Sequence, residues 1–303
     1  MGSPFSDHRA GTPPVFLAGL GVFFASFCFG LLPYFARSLS DQGMPSHVIA
    51  FHRFTLAALI LSPLLIAQRA KMRAILWGMG AGAAMGLGWI GYVTALRSAP
   101  VSVVGVLYMT YPVFTLLIAW LLFRDRPSLR AVGAAALIVA AAVLASRPGA
   151  VPVAVIPLLI LSLAAPLGFG LGITVLVYRL TALPPLARIA AVSLGSVLGL
   201  LPLVLGTEGS RLFPQDGAGW MLLLGIAIGT ALVPQLIYAT CAPLVGAART
   251  AVIGSIELPT MFAVGVLAFE ERITLPQGVA CALILTAILL NNKGAVAPVS
   301  CPK

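Results

Sequence analysis

Two charged residues lie deep inside apolar runs, where charge is costly. Glu257 stands about ten residues from either end of its run and Arg53 about eight residues into its own. An ionised side chain at mid-membrane is expensive unless it is paired or meets water, which makes both residues functional candidates. Glu257 could hold a substrate ammonium or take up a proton. It could equally be the buried partner of Arg53, or a hydrogen-bonded glutamic acid beside a kink at Pro259. Arg53 could grip a substrate carboxylate through a bidentate fork. Its other readings are a static clamp on carbonyls freed by prolines, or the counter-charge of Glu257. His52 is a weaker proton site, because the neighbouring Arg53 disfavours a second positive charge.

Aromatic and amide side chains recur at helical spacing. Trp89 and Tyr92, Tyr108 and Tyr111, and Gln235 and Tyr238 are each three residues apart, so each pair shares a helix face. Together they could wall a cavity that takes aromatic, aliphatic or cationic solutes by stacking and cation–π contact. The same spacing also serves helix packing, and Trp89 shares its face with Gly78, Gly82 and Gly86.

Other chemistries lack their residues. No GxxxxGK[ST] loop is present for ATP hydrolysis and no HExxH cluster for a metal. Ser193-Leu194-Gly195-Ser196 has no histidine after His52 to act as a base. Cys28, Cys241, Cys281 and Cys301 show neither CxxC spacing nor a nearby histidine. No cofactor, no metal and no enzymatic activity are expected. A channel is less attractive, since no charge ring or filter-like segment occurs.

The elements that position these residues follow from composition. Of 303 residues, 60% are hydrophobic and only 9% charged, and the mean hydropathy is +1.07. A soluble domain carries roughly 25% charged residues, so a soluble enzyme, a nucleic-acid binder and a disordered chain are excluded. The 31 Gly and 23 Pro are dispersed through apolar runs and form no linker. A helix needs about 20 apolar residues to cross a bilayer. Ten such runs are legible, at about 17–36, 46–68, 74–97, 101–123, 128–146, 153–179, 185–206, 218–241, 247–269 and 274–292. We call them spans 1 to 10. They do not alternate as barrel strands would, and Ser98-Ala99-Pro100 leaves room only for a tight hairpin between spans 3 and 4.

Basic residues set the expected orientation. With a cytoplasmic N-terminus, 12 of the 18 Lys and Arg residues fall on the cytoplasmic side, Arg69, Lys71, Arg73, Arg124, Arg126 and Arg130 among them. Five (Arg37, Arg97, Arg147, Arg211 and Arg272) fall opposite, and Arg53 lies inside. The positive-inside rule then places both termini in the cytoplasm. Trp77, Trp120, Trp220, Tyr34 and Tyr178 sit near span ends, where an interfacial belt belongs. No small-residue cleavage site follows the first run, so span 1 reads as a retained helix and not a signal peptide.

An internal duplication organises the chain. Span 4 ends Phe123-Arg124-Asp125-Arg126-Pro127-Ser128-Leu129, and span 9 ends Phe269-Glu270-Glu271-Arg272-Ile273-Thr274-Leu275. Both read F-x-[DE]-R-x-[ST]-L, 146 residues apart. The same shift carries Tyr92 onto Tyr238, and a shift of 147 carries Pro112 onto Pro259. Two homologous units of five spans must insert in opposite directions, giving an inverted repeat of the kind carriers use. The expected organisation is a polar tail (1–14), a first five-helix repeat (15–147), a second (148–292) and a polar tail (293–303).

With these features, residues 15–292 resemble the EamA branch of the drug/metabolite transporter superfamily. Ile256-Glu257-Leu258-Pro259 is similar to the amino-acid exporters of that branch, and the chain resembles most its YddG-type aromatic amino-acid exporters. The resemblance implies export of amino acids or related small metabolites across a bacterial inner membrane, without nucleic acid and by a monomer. The cavity would be walled mainly by spans 1, 3, 4, 6, 8 and 9.

Bending is expected in span 6, where Pro166 precedes Gly168, Gly170 and Gly172, and in span 1 at Gly30 and Pro33. The Gly-xxx-Gly pairs in spans 3, 7 and 8 read as close helix packing, which does not exclude sliding. Ser128 and Thr274 read as helix N-caps, and the Asp125–Arg126 and Glu271–Arg272 pairs as structural features at the water interface.

Overall fold

The computed structural model describes residues 12–146 and 152–292. The two tails, Cys301 and Arg147 lie wholly or largely outside them. Among the described residues the chain is entirely helical. Seven helices are long and apolar enough to cross a membrane: Val15–Asp41, Arg69–Leu96, Val101–Phe123, Val153–Tyr178, Pro185–Leu205, Gly217–Val245 and Val252–Phe269. Three shorter apolar helices, Ser46–Leu61, Leu129–Ala145 and Leu275–Leu290, occupy the remaining positions expected of spans 2, 5 and 10. Many large apolar side chains point outward; Leu129, Leu267 and Leu275 are 91%, 83% and 83% exposed. Such a surface is tolerable only in contact with lipid.

The main helix contacts recur across the two halves. Span 1 packs on spans 8 and 9, and span 6 packs on spans 3 and 4. Span 2 packs on span 7, and span 5 on span 10. Exchanging each span for the one five places away carries these contacts onto one another, as a two-fold relation between the halves does.

Glycine lets the central helices approach. On span 3, Gly82 lies against the Val192 backbone and Gly86 against Ser196; on span 7, Gly195 lies against Met79 and Gly199 against Ala83. A Cβ on either side would meet the opposing backbone. Ser196 Oγ crosses the seam to donate to the Gly82 carbonyl at 2.7 Å. In span 8, Gly225 makes room for Phe35, whereas Gly229 faces open space.

Four spans are broken near their middles, and they are the repeat mates 1 with 6 and 4 with 9. Span 1 breaks at Leu31 and span 6 at Leu163; span 4 breaks at Met109–Thr110 and span 9 at Ser255–Ile256. Pro33, Pro166, Pro112 and Pro259 each follow within three residues. A proline has no N–H and its ring collides with the carbonyl four residues back, so regular hydrogen bonding fails just upstream.

The break in span 6 lies just upstream of the proline and glycines expected to bend it. It falls before Pro166, and Gly168 and Gly170 sit in regular helix. Their missing side chains admit neighbours instead: Gly168 lies against Ala84 and Met85 of span 3, and Gly170 against Tyr111, Phe114 and Thr115 of span 4. Gly30 plays the same part beside the break in span 1, where a Cβ would stand 2.5 Å from Thr260 Cβ and 2.8 Å from the Glu257 carbonyl oxygen.

Candidate functional site

Three of the polar candidates, Tyr108, Tyr111 and Glu257, flank the helix breaks. Glu257 is the first residue of the second half of span 9, so it stands where the helix has just been interrupted. It is half-buried, and its carboxylate makes no hydrogen bond or ion pair among the described residues. Arg53, on span 2, is 7% exposed. It and Glu257 are close enough for their charges to interact, yet no carboxylate lies at ion-pair distance from the guanidinium among the described residues. Tyr92, Tyr108, Tyr111 and Tyr238 are within the same electrostatic range of Glu257.

Aromatic rings link these groups. The Arg53 guanidinium lies 3.9 Å above the Trp89 ring and 5.4 Å from Phe54. Trp89 touches Tyr92 edge-on at 4.7 Å and Tyr108 at 5.5 Å. Tyr108 continues to Tyr111 at 5.9 Å. Phe169, in the glycine run of span 6, meets Tyr111 at 5.0 Å and Tyr108 at 5.8 Å. Tyr238 pairs with Phe29 of span 1 at 6.1 Å. Trp89, Tyr92 and Tyr108 are fully buried, whereas Tyr111, Tyr238 and Glu257 are half-buried. The cluster therefore has a closed floor and a partly accessible side.

The Arg53 guanidinium covers one face of Trp89, and Tyr92 and Tyr108 lie against the same ring. His52 turns away from the cluster, with Nε2 at 2.9 Å from the Leu212 carbonyl oxygen between spans 7 and 8. Gln235 stays one turn from Tyr238, and its Oε1 is buried without a hydrogen-bond partner among the described residues. Phe169 carried no signal beyond its glycine neighbours.

The two repeated turns form a matched pair of latches at opposite ends. At one, Arg37 near the end of span 1 pairs with Glu271 at 3.0 Å and lies 4.4 Å above Phe269. Glu271 also accepts the backbone N–H of Val101 at 2.7 Å and of Ser102 at 3.3 Å, so it caps the start of span 4. At the other, Arg179 at the end of span 6 lies 5.1 Å from Phe123, and the Tyr178 hydroxyl donates to Asp125.

The backbone repeats as closely as the side chains. Arg124 and Glu270 are both left-handed, with φ of 56° and 54°. Asp125 N–H bonds the Ala119 carbonyl and Glu271 N–H the Gly265 carbonyl.

The latches are not equally shut. The Glu271 side chain is 11% exposed, and Asp125 is exposed. Before its break, span 4 is buried at every residue from Val101 to Tyr108; after it, from Tyr111 to Phe123, no residue is fully buried. The Glu271 end is thus the more closely packed of the two.

A signature of the EamA-like transporter family matches residues 16–147 and again residues 156–293. The chain belongs to the EamA-like transporter family. Two EamA units in tandem agree with the recurring contacts and paired breaks. The protein is therefore a multi-pass membrane transporter of the drug/metabolite kind and not an enzyme. A crystal structure of a protein 18% identical in sequence superposes with a TM-score of 0.61, covering 93% of this chain and 99% of the other; at that identity the likeness speaks for the fold. A comparison with curated proteins finds no match.

Proposed function

We propose that this EamA protein is a secondary transporter that exports amino acids, aromatic or other neutral ones, or closely related metabolites, across a bacterial inner membrane with both termini cytoplasmic. The observation that carries the reading is the placing of Glu257, at a helix break, beside Arg53 and a connected set of tyrosines. Discontinuous helices of this kind present backbone polar groups at mid-membrane, where carriers bind their solutes. A neutral pair of opposite charges with aromatic walls suits a neutral amino acid better than a multiply charged solute.

Transport follows by alternating access. The Arg37–Glu271 latch closes the non-cytoplasmic end while the Asp125 end admits substrate from the cytoplasm. Rocking about the breaks in spans 1 and 6 would exchange the two conditions, since each half can adopt the other's arrangement. Cation–π contact also leaves room for a cationic metabolite, but Arg53 opposes a second cation at the site.

Release from cells tests the reading. Cells fed a dipeptide of an aromatic amino acid accumulate the free amino acid, and expression of this protein should speed its appearance in the medium. No acceleration for any neutral amino acid would reject the proposal.

A further inference from the structure

The polar atoms without partners in the cluster specify a ligand. Arg53 Nε and Nη1 and the Tyr92 hydroxyl are buried with no hydrogen-bond partner among the described residues, and Tyr92 is 0% exposed. A buried guanidinium without a counter-ion is among the costliest arrangements a protein can hold. Trp89 fixes its position through the ring face, which leaves its N–H groups free to donate in the guanidinium plane. One carboxylate has about four lone-pair sites, enough to accept from Arg53 and Tyr92 together. Among the described residues no carboxylate, Glu257 included, lies at ion-pair distance from Arg53.

We infer that Arg53 and Tyr92 form a carboxylate subsite, that Glu257 receives the ammonium of the same ligand, and that the substrate is a zwitterion with a free α-carboxylate and a free amine. The inference deepens the amino-acid reading proposed above and rests on it. Charge arithmetic favours it over a ligand with one charge. Arg53 and Glu257 together are neutral, and a zwitterion laid between them with its charges opposed keeps the site neutral while pairing both ends. An amine would leave Arg53 unpaired beside another cation. A carboxylic acid lacking the amine would bring two carboxylates together. The side chain would then lie toward Tyr108, Tyr111 and Phe169, whose rings are contiguous.

Competition on the wild-type protein tests this without relying on a variant that folds. Proteoliposomes loaded with unlabelled phenylalanine take up labelled phenylalanine by exchange, in the presence of phenylalanine, phenethylamine or 3-phenylpropanoate as competitor. Each charge-deleted analogue should compete roughly ten- to hundredfold more weakly, the loss expected for a charged hydrogen-bonded contact. Phenethylamine competing as well as phenylalanine would overturn the carboxylate subsite, and 3-phenylpropanoate doing so would overturn the part given to Glu257. No exchange of phenylalanine or of any neutral amino acid would remove the amino-acid reading itself, a result distinct from either. Tyr92→Phe then isolates one hydroxyl: it should raise the apparent KM and narrow the gap between phenylalanine and phenethylamine, and an unchanged gap would take Tyr92 out of the subsite.

Discussion

Arg37 and Glu271, 234 residues apart in the chain, meet at 3.0 Å, and the same carboxylate caps the first turn of span 4 through Val101 and Ser102. One side chain therefore ties the end of span 1 to the start of span 4 and to the turn after span 9. Its repeat mate, Asp125, holds only a tyrosine hydroxyl at the other end among the bonds of the described residues. A carrier caught with one end closed would show this imbalance.

Removing the closed latch should open that end. Arg37→Ala loses a largely buried ion pair and a cation–π contact, together about 1–3 kcal/mol, which corresponds to roughly a five- to 150-fold larger population of the opposite state. Spin labels at Asp41 and Arg272 would report it as a longer distance. An unchanged distance distribution would show that the pair does not hold the conformation.

The opposite latch should matter less in this state. Asp125 is exposed, and exposed polar contacts contribute about 1 kcal/mol or less. Asp125→Asn should leave thermal stability nearly unchanged while slowing turnover, because closure of that end is needed once per cycle. Turnover at the wild-type rate would argue against a role for the turn in gating.

The glycines divide into two kinds with opposite expected outcomes. Gly82→Ala pushes a methyl group into the Val192 backbone and should destabilise by about 1–3 kcal/mol. Gly229→Ala meets nothing within 4 Å, so it should be neutral or stabilise by about 0.5–1 kcal/mol. Melting of the two variants in detergent gives the comparison, and equal effects would mean that the seam between spans 3 and 7 is looser than described.

Glu257→Gln separates coupling from binding. If Glu257 carries a proton during the cycle, the variant should lose pH-driven net transport and keep substrate exchange. Retention of the wild-type pH dependence would remove Glu257 as the coupling residue.

Much of the fold was legible because the bilayer demands long apolar runs: seven of the ten runs are helices long and apolar enough to cross a membrane, and shorter apolar helices stand at the other three. The duplication was visible in F-x-[DE]-R-x-[ST]-L, and the prolines marked where helices fail. The site was half legible. Glu257 and Arg53 stood out by their cost, but how they stand to one another depends on helix packing and on the break in span 9, which no spacing gives. Glu271 hid in a charged turn, where a carboxylate is ordinary, and its partners lie about 170 and 234 residues away. Gly168 and Gly170 are ambiguous in sequence for a physical reason: a glycine needed for close approach has the same sequence pattern as one needed for bending.

Counterflow in proteoliposomes tests the central claim most directly. Vesicles loaded with unlabelled aromatic, aliphatic or hydroxylated amino acids are offered a labelled tracer of each. Transient accumulation of label with the aromatic or other neutral group, and its loss when the internal pool is omitted, is the expected result, since only a site exposed alternately to the two sides exchanges in this way. Label that merely equilibrates regardless of the internal pool would indicate a channel, and no uptake of any amino acid by correctly inserted protein would contradict the assigned substrate while leaving the EamA fold in place.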